Sequence, residues 1–586
     1  MNVADLSPAV LETLLRELPH HLPHYLTQQR WFGGKARIIH RLRVRDWLAL
    51  PALPASNAKS ENATHRPFMY PVGPRTAPLF LGIAILEVAY EDGGSERYSL
   101  PLAICNQETS LAPVLLRQDL PGGPSWTVCE ATRMPAFWWA LFTVLLRTTE
   151  RACLTEGGSS WQVVHTTVFS PDAAATSMPQ DIRIYGGEQS QSLAVLQHAW
   201  VLKLFRRLEE GISPDWEITR YLTEEARFPH TPMALAAWLY RESAPEEQSS
   251  QGRSRACDEN TTLLAMMTRY RSNRGDAWSC TLAELHNLCQ QVLQGGHFAP
   301  QPDNTPRPCT EQLWALTQQS APDAWPELLR PQLGRLTLLG RRTAEMHLAL
   351  AHSALPAFCP EPWTATDQKA LMTSCSQQLS LSLELLRMHK VNLPPTVGPL
   401  AEAVLHLEAP LRAQLSQLEA IVPGGLKIRI HGDYHLGQVL CTEDDFVILD
   451  FEGEPVRPLV ERRQKQAPLR DLAGMIRSFH YAAVSAEITF AYGLPDSQRI
   501  VLGHWLQHWY LWSASAFLRG YIQTPNISQI LPPRARDILV LLNAFLIEKA
   551  AYELAYELNH RPDWIAIPLR GLHDLAASTA LKNMPS

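Results

Sequence analysis

The chain lacks the features that mark membrane, secreted, metal-binding and nucleic-acid-binding proteins. Its longest largely apolar stretch, Met134–Leu146, is too short to span a bilayer. The ten cysteines include no CxxC pair and no metal-ligand spacing, which indicates reduced thiols. A net charge of −6 argues against general nucleic-acid binding, and the acidic amphipathic N-terminus is unlike a signal peptide. These absences predict a soluble, cytoplasmic protein with neither membrane nor nucleic acid as a partner.

The composition is that of a globular protein, with 46% hydrophobic and 19% charged residues. At 586 residues the chain is too long for one core. Leu79–Tyr90 and Glu96–Ile104 flank an acidic, glycine-containing turn and predict a hairpin, whereas helical periodicity dominates after about residue 262. Polar or proline-rich stretches at 51–78 and 242–260 predict loops. We therefore expect three parts: an N-terminal α+β cap (1–110), a β-rich small lobe (111–270) and a mostly helical large lobe (271–586).

The strongest chemical signal lies in residues 426–455, where the pattern predicts a strand, a polar loop, a short strand, a turn and a strand. The loop carries His-Gly-Asp at 431–433, then Gln438, and Asp450 begins the sequence Asp-Phe-Glu-Gly. In phosphoryl transfer, one acid orients the attacking hydroxyl, while an amide oxygen and a second carboxylate hold Mg²⁺. A His-Gly-Asp triplet alone is common, and aspartates often merely cap turns. The continuation at Asp450 favours the loop of a kinase-like phosphotransferase.

A kinase-like nucleotide site also needs a lysine for the phosphates. Lys203 lies within an apolar strand, and Glu217 follows on a helix that begins near Pro214. This order predicts a lysine–glutamate pair, although a strand lysine is often just a solvated edge residue. Ser190 and Ser192 precede the strand without a GxGxxG motif. Their hydroxyls and nearby N–H groups could cradle phosphate, or the segment is an ordinary hairpin turn.

Several stretches, spread over most of the chain, resemble the maltokinases, a family related to aminoglycoside phosphotransferase-like kinases and often fused to trehalose synthase. The matching stretches are QQRWFGGKAR (28–37), VLKLFRRLEEGISPDWEITRYL (201–222), LGRRTAEMHLAL (339–350), HGDYHLGQVL (431–440), ILDFEGEPVRPLVERRQKQAPLRDLAGMIRSF (448–479) and EKAAYELAYELNHRPDWIAIPLRGL (548–572). The resemblance implies an α+β, bilobal protein-kinase-like fold with an N-terminal cap. It also implies transfer of the γ-phosphate of ATP to the anomeric hydroxyl of maltose, with Mg²⁺, for α-glucan synthesis. The extra loops at 51–78 and 242–260 depart from the family, and the lack of a trehalose synthase domain makes any such partner a separate chain.

The resemblance also implies roles for individual residues. They are Asp433 as the catalytic base, His431 as the residue that orders its loop, Gln438 and Asp450 as metal ligands, Lys203, Glu217, Ser190 and Ser192 at ATP, and His435 at the acceptor. Glu452 either reaches a second metal or makes a supporting hydrogen bond. Asp471 either braces the catalytic loop or caps its helix. His347 is expected to be structural.

Acceptor recognition is expected on the helix that contains Lys549, Tyr552, Glu553 and Tyr556. Their spacings of three and four place a cation, two phenols and an acid on one helical face. Aromatic faces with directed hydrogen bonds are typical of sugar sites, although a core stripe with internally bonded phenols explains the same pattern. Trp564 either forms the floor of the sugar site or anchors the chain that follows the helix.

The N-terminal sequence Trp31-Phe32-Gly33-Gly34-Lys35 predicts a tight turn that packs the cap on the small lobe, with an ordinary surface turn as the alternative. The function expected from all these features is that of a maltokinase. A glucosamine kinase or another sugar kinase with the same core is the nearest alternative. A catalytically silent nucleotide-binding scaffold is the alternative from another class.

Overall fold

The computed structural model describes residues 6–50, 79–105, 112–119, 125–146, 153–154, 158–170, 181–185, 191–242, 260–294, 308–320 and 329–576. The chain divides into two compact units, one of residues 1–227 with 232–272 and one of residues 228–231 with 273–586. The predicted loop at 51–78 and most of the one at 242–260 lie outside the described residues.

The first unit is rich in β-structure. Its strands are β1 (Ile39–Ala49), β2 (Leu79–Tyr90), β3 (Ser95–Cys105), β4 (Val114–Asp119), β5 (Ser125–Glu130), β6 (Cys153–Leu154), β7 (Ser160–His165), β8 (Ile182–Tyr185), β9 (Ser192–Leu196), β10 (Trp200–Leu204), β11 (Arg207–Leu208), β12 (Ala234–Arg241) and β13 (Thr262–Arg269). Its helices are α1 (Pro8–Glu17), α2 (Leu22–Gln28), α3 (Pro135–Leu146) and α4 (Pro214–Glu224).

The strands of the first unit form two antiparallel sheets. One has the order β1-β2-β3-β5-β4, with β11 also paired to β3, and the other has the order β6-β7-β12-β13-β10-β9-β8. The predicted hairpin is confirmed as β2 and β3. Since β4 and β5 extend the first sheet to Glu130, this sheet continues beyond residue 110. The predicted division into three parts stays a prediction.

Apolar packing holds the first unit together on both faces of its first sheet. The apolar side chains of α1 and α2, including Leu14 and Leu26, pack on one face. The other face shares a core with the second sheet and with α3. Helix α3 is apolar on all sides, and such a helix is stable in water only when it is buried. The second sheet is thereby held to the first.

The second unit is mainly helical. Its helices are α5 (Ala277–Leu293), α6 (Thr310–Thr317), α7 (Leu329–Ala351), α8 (Ala365–His389), α9 (Gly398–His406), α10 (Glu408–Leu415), α11 (Leu459–Arg462), α12 (Leu469–Phe490), α13 (Asp496–Ile522), α14 (Ala535–His560) and α15 (Ala566–Ala576). Its strands are β14 (Glu361–Pro362), β15 (Leu426–Lys427), β16 (Val439–Cys441) and β17 (Phe446–Ile448).

Helices α7 and α13 pack unusually closely because each contributes a glycine to the contact. A Cβ atom on Gly340 would lie 1.9 Å from the Phe517 carbonyl oxygen, and one on Gly520 would lie 1.8 Å from that of Thr337. No larger residue fits either place, so the two backbones touch. This close packing brings His347 of α7 into hydrogen-bond contact with Tyr521 of α13. The segment 431–438, which carries the predicted base, is called the catalytic loop below.

Two sequence-based boundaries in the second unit were wrong. Periodicity predicts one helix over Ala401–Ile421, but the structure has α9, α10 and a 3₁₀ turn, because the backbone leaves helical geometry at Leu407. The strand predicted to end at Ile430 shortens to the two residues of β15. Among the described helices, none has the length and apolar character that a bilayer crossing requires.

Candidate active site

The hairpin of β16 and β17 places two predicted metal ligands, the amide of Gln438 and the carboxylate of Asp450, at the same end. Val439 pairs with Ile448, and the Leu449 N–H donates to the Gln438 carbonyl oxygen at 3.0 Å. Gln438 and Asp450 therefore leave the hairpin at the same end. Asp450 has a φ of +70°, a left-handed conformation that aspartate adopts more readily than most residues and that is often found at functional sites. Amide and carboxylate oxygens are ligands that suit Mg²⁺.

His431 orders the catalytic loop through both ring nitrogens. Its Nε2–H donates to the Leu449 carbonyl oxygen at 3.0 Å, and its Nδ1 accepts from the Asp433 N–H at 3.4 Å. The side chain is 1% exposed, so these bonds form in the core. This geometry supports the ordering role expected for His431 rather than a direct chemical one.

Asp471 braces the catalytic loop from the first turn of α12. Its two carboxylate oxygens accept the backbone N–H groups of His431 at 2.7 Å and Gly432 at 2.9 Å. His347 donates to the same carboxylate at 3.0 Å and is itself bonded to Tyr521. Burial favours protonation of Asp471, but the hydrogen bond and charge of His347, with the nearby His431 and Gly432, hold its pKa below the ordinary value. Asp471 therefore braces the loop as a buried carboxylate.

A glycine lets the catalytic loop lie directly on α12. A Cβ atom on Gly474 would lie 2.6 Å from the carbonyl oxygen of Tyr434. The Tyr434 side chain is buried and shares a hydrogen bond with Thr343 of α7 at 2.9 Å. The loop is thus held by helices on two sides, which limits the movement of Asp433.

Lys549 of α14 connects the predicted base to a buried acid. Its ammonium lies 3.4 Å from Asp433 Oδ1 and 2.5 Å from Glu454 Oε1. Burial opposes the charged form of Lys549, but Glu454 and then Asp433 raise its pKa above the ordinary value. Burial likewise opposes ionisation of Glu454, but Lys549 and Arg457 lower its pKa to about 2. Lys549 is therefore a fixed cation beside Asp433.

A cleft in the second unit opens beside this cation. Its lining includes Asp433, Lys549 and Tyr552, so three predicted site residues lie on one concavity. The Tyr552 ring lies under the Lys549 ammonium, with the nitrogen 5.1 Å from the ring centroid. Concave sites with an aromatic face and a few polar groups are typical of small-molecule binding.

The other predicted acceptor residues lie around this cleft rather than in its lining. Tyr556 stacks between Tyr552 and His560, with ring centroids 6.4 and 4.5 Å away. His435 Nδ1 accepts the Gly437 N–H at 3.0 Å, and its Nε2 lies 3.9 Å from Asp433. Desolvation lowers the pKa of His435, against the effect of the Asp433 charge. Roles for His435 and Tyr556 in acceptor binding stay predictions.

One residue of the predicted acceptor face has a different role. Glu553 binds the guanidinium of Arg477 at 2.6 and 2.9 Å in the interior, so it does not join Lys549 and Tyr552 at the cleft. The residues share a helical face by spacing, but a stripe that spans about two helical turns meets different neighbours along its length. Trp564 stacks on Tyr481, 6.2 Å between centroids, as expected for an anchor of the chain after α14.

In the first unit, the carboxylate of Asp215 lies at Lys203, and the predicted pairing of Lys203 with Glu217 stays a prediction. The Lys203 ammonium lies 2.8 Å from Asp215 Oδ2, and both side chains are largely buried. Residues two apart leave a helix on nearly opposite sides, which is why Asp215 and Glu217 do not point the same way. Strand β10 lies between β9 and β13, so Lys203 is not an edge residue. A part for Glu217 in nucleotide binding stays a prediction.

The predicted phosphate-covering serines are only partly described. Ser192 begins β9 and pairs with Leu204, the residue after Lys203. Ser190 lies outside the described residues. Glu452 contributes its carbonyl oxygen to the Arg462 guanidinium at 3.1 Å, and a metal-binding role of its side chain stays a prediction.

The N-terminal aromatic turn packs against the end of the Lys203 strand. The Arg206 guanidinium lies 4.2 Å from the centre of the Trp31 ring and 3.1 Å from Glu130 Oε1. Gly33 donates its N–H to the Tyr98 hydroxyl at 3.1 Å. The turn is therefore a packed element of the first unit and not an ordinary surface turn.

Sequence reasoning missed Asp215, Glu454 and Arg477. A signal was present for Asp215, since it begins the helix on which an acid was sought. Glu454 follows Asp-Phe-Glu-Gly directly, but its partner Lys549 is 95 residues away in the chain. No local pattern links such a pair.

No family model matches the chain. Over 257 residues, 42% of its length, the chain is 27% identical to a glucosamine kinase of Mycolicibacterium smegmatis, and it is 28% identical over 239 residues to one of Streptacidiphilus jiangxiensis. These matches span 55% and 48% of the two relatives, or about half of their length.

Solved structures show the same fold. A glucosamine kinase in complex with glucosamine, ADP and inorganic phosphate aligns with a TM-score of 0.53 at 18% identity, over 84% of this chain and 91% of that one. A second crystal form of a glucosamine kinase gives 0.51 at 19% identity, over 85% and 94%. At this identity the likeness concerns the fold alone. The fold predicted from the sequence, an α+β kinase-like fold related to that of sugar kinases, is confirmed.

Proposed function

We propose that the protein is an ATP- and Mg²⁺-dependent sugar kinase that phosphorylates maltose at its anomeric hydroxyl. The observation that carries the proposal is the position of Asp433 at an open cleft, on a loop that Asp471 holds through two backbone bonds. A positioned carboxylate beside a polar, aromatic-lined cleft suits the orientation of a substrate hydroxyl.

Each unit contributes residues that fit one part of this chemistry. Asp433 would accept the hydroxyl proton of the acceptor, and Lys203, held by Asp215, would bind phosphate oxygens of ATP. Gln438 and Asp450 would hold Mg²⁺, which neutralises charge on the phosphates. The donor set fits the ion because it consists of hard oxygen atoms at one hairpin end. Ser190, Ser192, Glu217 and Glu452 are proposed to assist.

Lys549 favours a neutral acceptor. Its ammonium lies 3.4 Å from Asp433, in the cleft where the acceptor must approach the base. A cationic acceptor that approaches Asp433 would compete with the Lys549 ammonium for that carboxylate, a competition that a neutral disaccharide avoids. Lys549 and Tyr552, with His435 and Tyr556 nearby, are therefore proposed to select maltose.

Glucosamine is the second candidate acceptor. It is favoured by the likeness to glucosamine kinases in sequence and in fold. The use of the product in α-glucan synthesis, a cytoplasmic location and a separate trehalose synthase partner are further proposals, which rest on the resemblance to maltokinases.

An acceptor panel tests the proposal. ATP consumption is measured with maltose, glucose, glucosamine and an aminoglycoside, with Asp433→Asn as the inactive control. We expect preference for maltose and a product that is acid-labile and no longer reducing, since its anomeric carbon carries the phosphate. A reducing 6-phosphate, or preference for glucosamine, would refute the maltokinase assignment and leave a sugar kinase. No acceptor-dependent consumption of ATP would favour the silent scaffold.

A charge variant tests the role of Lys549 separately. Lys549→Met removes the cation and keeps most of the side-chain volume, so the ratio of glucosamine to maltose turnover should rise. Lys427→Met is the matched control, because Lys427 also pairs with acids but lies away from the cleft lining. An unchanged ratio in Lys549→Met would contradict the selection argument.

A further inference from the structure

Two cysteines of the second unit lie side by side although they are far apart in the chain. Cys280 belongs to α5, and Cys441 is the last residue of β16. Both are free, and their thiols share a hydrogen bond. Two thiols in such contact need only a small approach of their sulfur atoms to form a disulfide.

Backbone hydrogen bonds hold the two cysteines in this position independently of their side chains. The Cys441 N–H donates to the Gly275 carbonyl oxygen at 2.9 Å, and the Arg274 N–H donates to the Cys441 carbonyl oxygen at 2.7 Å. Asp276, the N-cap of α5, forms a β-bridge with β16. The Cys280 N–H donates to the Asp276 carbonyl oxygen at 3.1 Å, so Cys280 lies one helical turn beyond this bridge. The start of α5 is therefore bonded to β16 where the two thiols meet.

The two thiols differ in their access to solvent. Cys280 is half-buried, whereas Cys441 is 2% exposed. Burial, and then the contact with Cys280, raises the pKa of the Cys441 thiol to about 12. A protonated, buried thiol does not react with a soluble oxidant by itself. Cys280 is therefore the thiol that an oxidant reaches, and Cys441 is the resolving thiol beside it, where the Arg335 guanidinium hydrogen-bonds it and favours its thiolate.

The cysteines of a second pair, Cys105 and Cys129 in the first unit, are placed less favourably. Cys105 pairs with Thr127 and Ala103 with Cys129, so the two cysteines lie diagonally across β3 and β5. Diagonal neighbours are about 7–8 Å apart, whereas the Cβ atoms of a disulfide are about 3.5–4.5 Å apart. Both side chains are also buried. This pair is therefore expected to stay reduced under conditions that oxidise Cys280.

We propose that Cys280 and Cys441 form a reversible disulfide when the protein meets a peroxide, and that this bond fastens α5 to the hairpin of β16 and β17. First, the Cys280 sulfur attacks hydrogen peroxide and the O–O bond breaks, which gives a sulfenic acid and water. The Cys441 sulfur then attacks the Cys280 sulfur, and the hydroxyl leaves with the Cys441 thiol proton as a second water. Two thiols are oxidised, one peroxide is reduced, and a dithiol reductant reverses the bond by exchange.

The bond also acts on the proposed site, and this part of the inference rests on the proposed function. Gln438, the proposed metal ligand, directly precedes β16. A disulfide is shorter than the hydrogen bond that it replaces, so its formation draws β16 towards α5. A misplacement of about 1 Å at a catalytic site can lower the rate about a hundredfold. We therefore expect the cross-linked protein to turn over about tenfold more slowly or worse, and to recover on reduction.

The bond is tested in the full-length protein treated with hydrogen peroxide. We expect the intact mass to fall by two hydrogen atoms and a peptide map without reductant to contain a linked Cys280–Cys441 pair. The melting temperature of the second unit should rise by several degrees, because the bond closes a long loop in the unfolded chain. Dithiothreitol should reverse each change. Cys280→Ser should abolish them all, whereas Cys359→Ser, at an exposed cysteine, is the matched control and should behave as wild type.

A peptide map in which Cys280 and Cys441 stay reduced, or form bonds with other cysteines or between molecules, would overturn the pairing. An equal loss of turnover in Cys280→Ser after peroxide, or unchanged turnover in the fully cross-linked protein, would overturn the effect on the site. Absence of kinase activity in the reduced protein would instead refute the proposed function, and the peptide map and the melting temperature would still decide whether the bond forms.

Discussion

Glu454→Gln should destabilise the protein in a way that depends on pH. Glu454 is about 5% exposed and forms ion pairs with Lys549 at 2.5 Å and Arg457 at 2.6 Å. Glutamine keeps the shape but removes the charge, which leaves the Lys549 ammonium with Asp433 as its remaining ion-pair partner among the described residues. A tighter pair with Asp433 should also lower turnover in the proposed sugar-kinase reaction.

The size of the effect follows from the pKa of Glu454, which falls from an ordinary value of 4.5 to about 2. At roughly 1.4 kcal/mol per pH unit, this difference corresponds to about 3 kcal/mol of stability at pH 7. Because the folded-state pKa is depressed, the contribution is complete above the unfolded-state value near 4.5 and is lost as pH falls through about 2. At pH 3 about 1 kcal/mol should remain.

Urea unfolding of wild type and variant at pH 7 and pH 3 measures both values. Glu461→Gln is the matched control, because Glu461 contacts the same Arg457 at 3.8 Å but is 49% exposed. Exposed pairs contribute about 0–1 kcal/mol, so this control should unfold nearly as wild type does. A loss below about 0.5 kcal/mol in Glu454→Gln at pH 7, or one that does not shrink at pH 3, would refute the reasoning.

Three further predictions concern the base, the Lys203 pair and the N-terminal turn. Asp433→Asn should lower turnover about a hundredfold to ten-thousandfold, while ATP binding, measured by calorimetry, stays near wild type. Wild-type turnover in the folded variant would exclude Asp433 as the base. Lys203→Ala and Asp215→Ala should be markedly non-additive in a double-mutant cycle of kcat/KM. A larger coupling of Lys203 to Glu217 than to Asp215 would contradict this expectation and favour the pair predicted from the sequence. Trp31→Ala leaves the Arg206 guanidinium without its aromatic partner and should therefore lower the melting temperature of the first unit by a few degrees. An unchanged melting curve would show that this contact adds no stability.

The local parts of the site could be predicted from the sequence because neighbours in the chain form them. The hairpin of β16 and β17 joins Gln438 and Asp450 across a four-residue turn, and alternation and turn chemistry are visible in the sequence. The same holds for the long helices α7, α13 and α14, whose periodicity extends over many turns. The break at Leu407 was missed because the apolar spacing continues through it.

The fold class and the position of Gln438 and Asp450 at one end of a hairpin were thus determined by the sequence itself. Strand alternation, helical periodicity and the spacing of a few acids and amides act over short distances along the chain. Tertiary structure decided which acid meets which base: Asp215 at Lys203, Glu454 at Lys549, and Asp471 at His347 across 124 residues. The reason is physical. A contact between side chains depends on the direction in which each leaves its element and on how closely the elements pack, as at Gly340 and Gly520, and neither quantity is written in local sequence patterns.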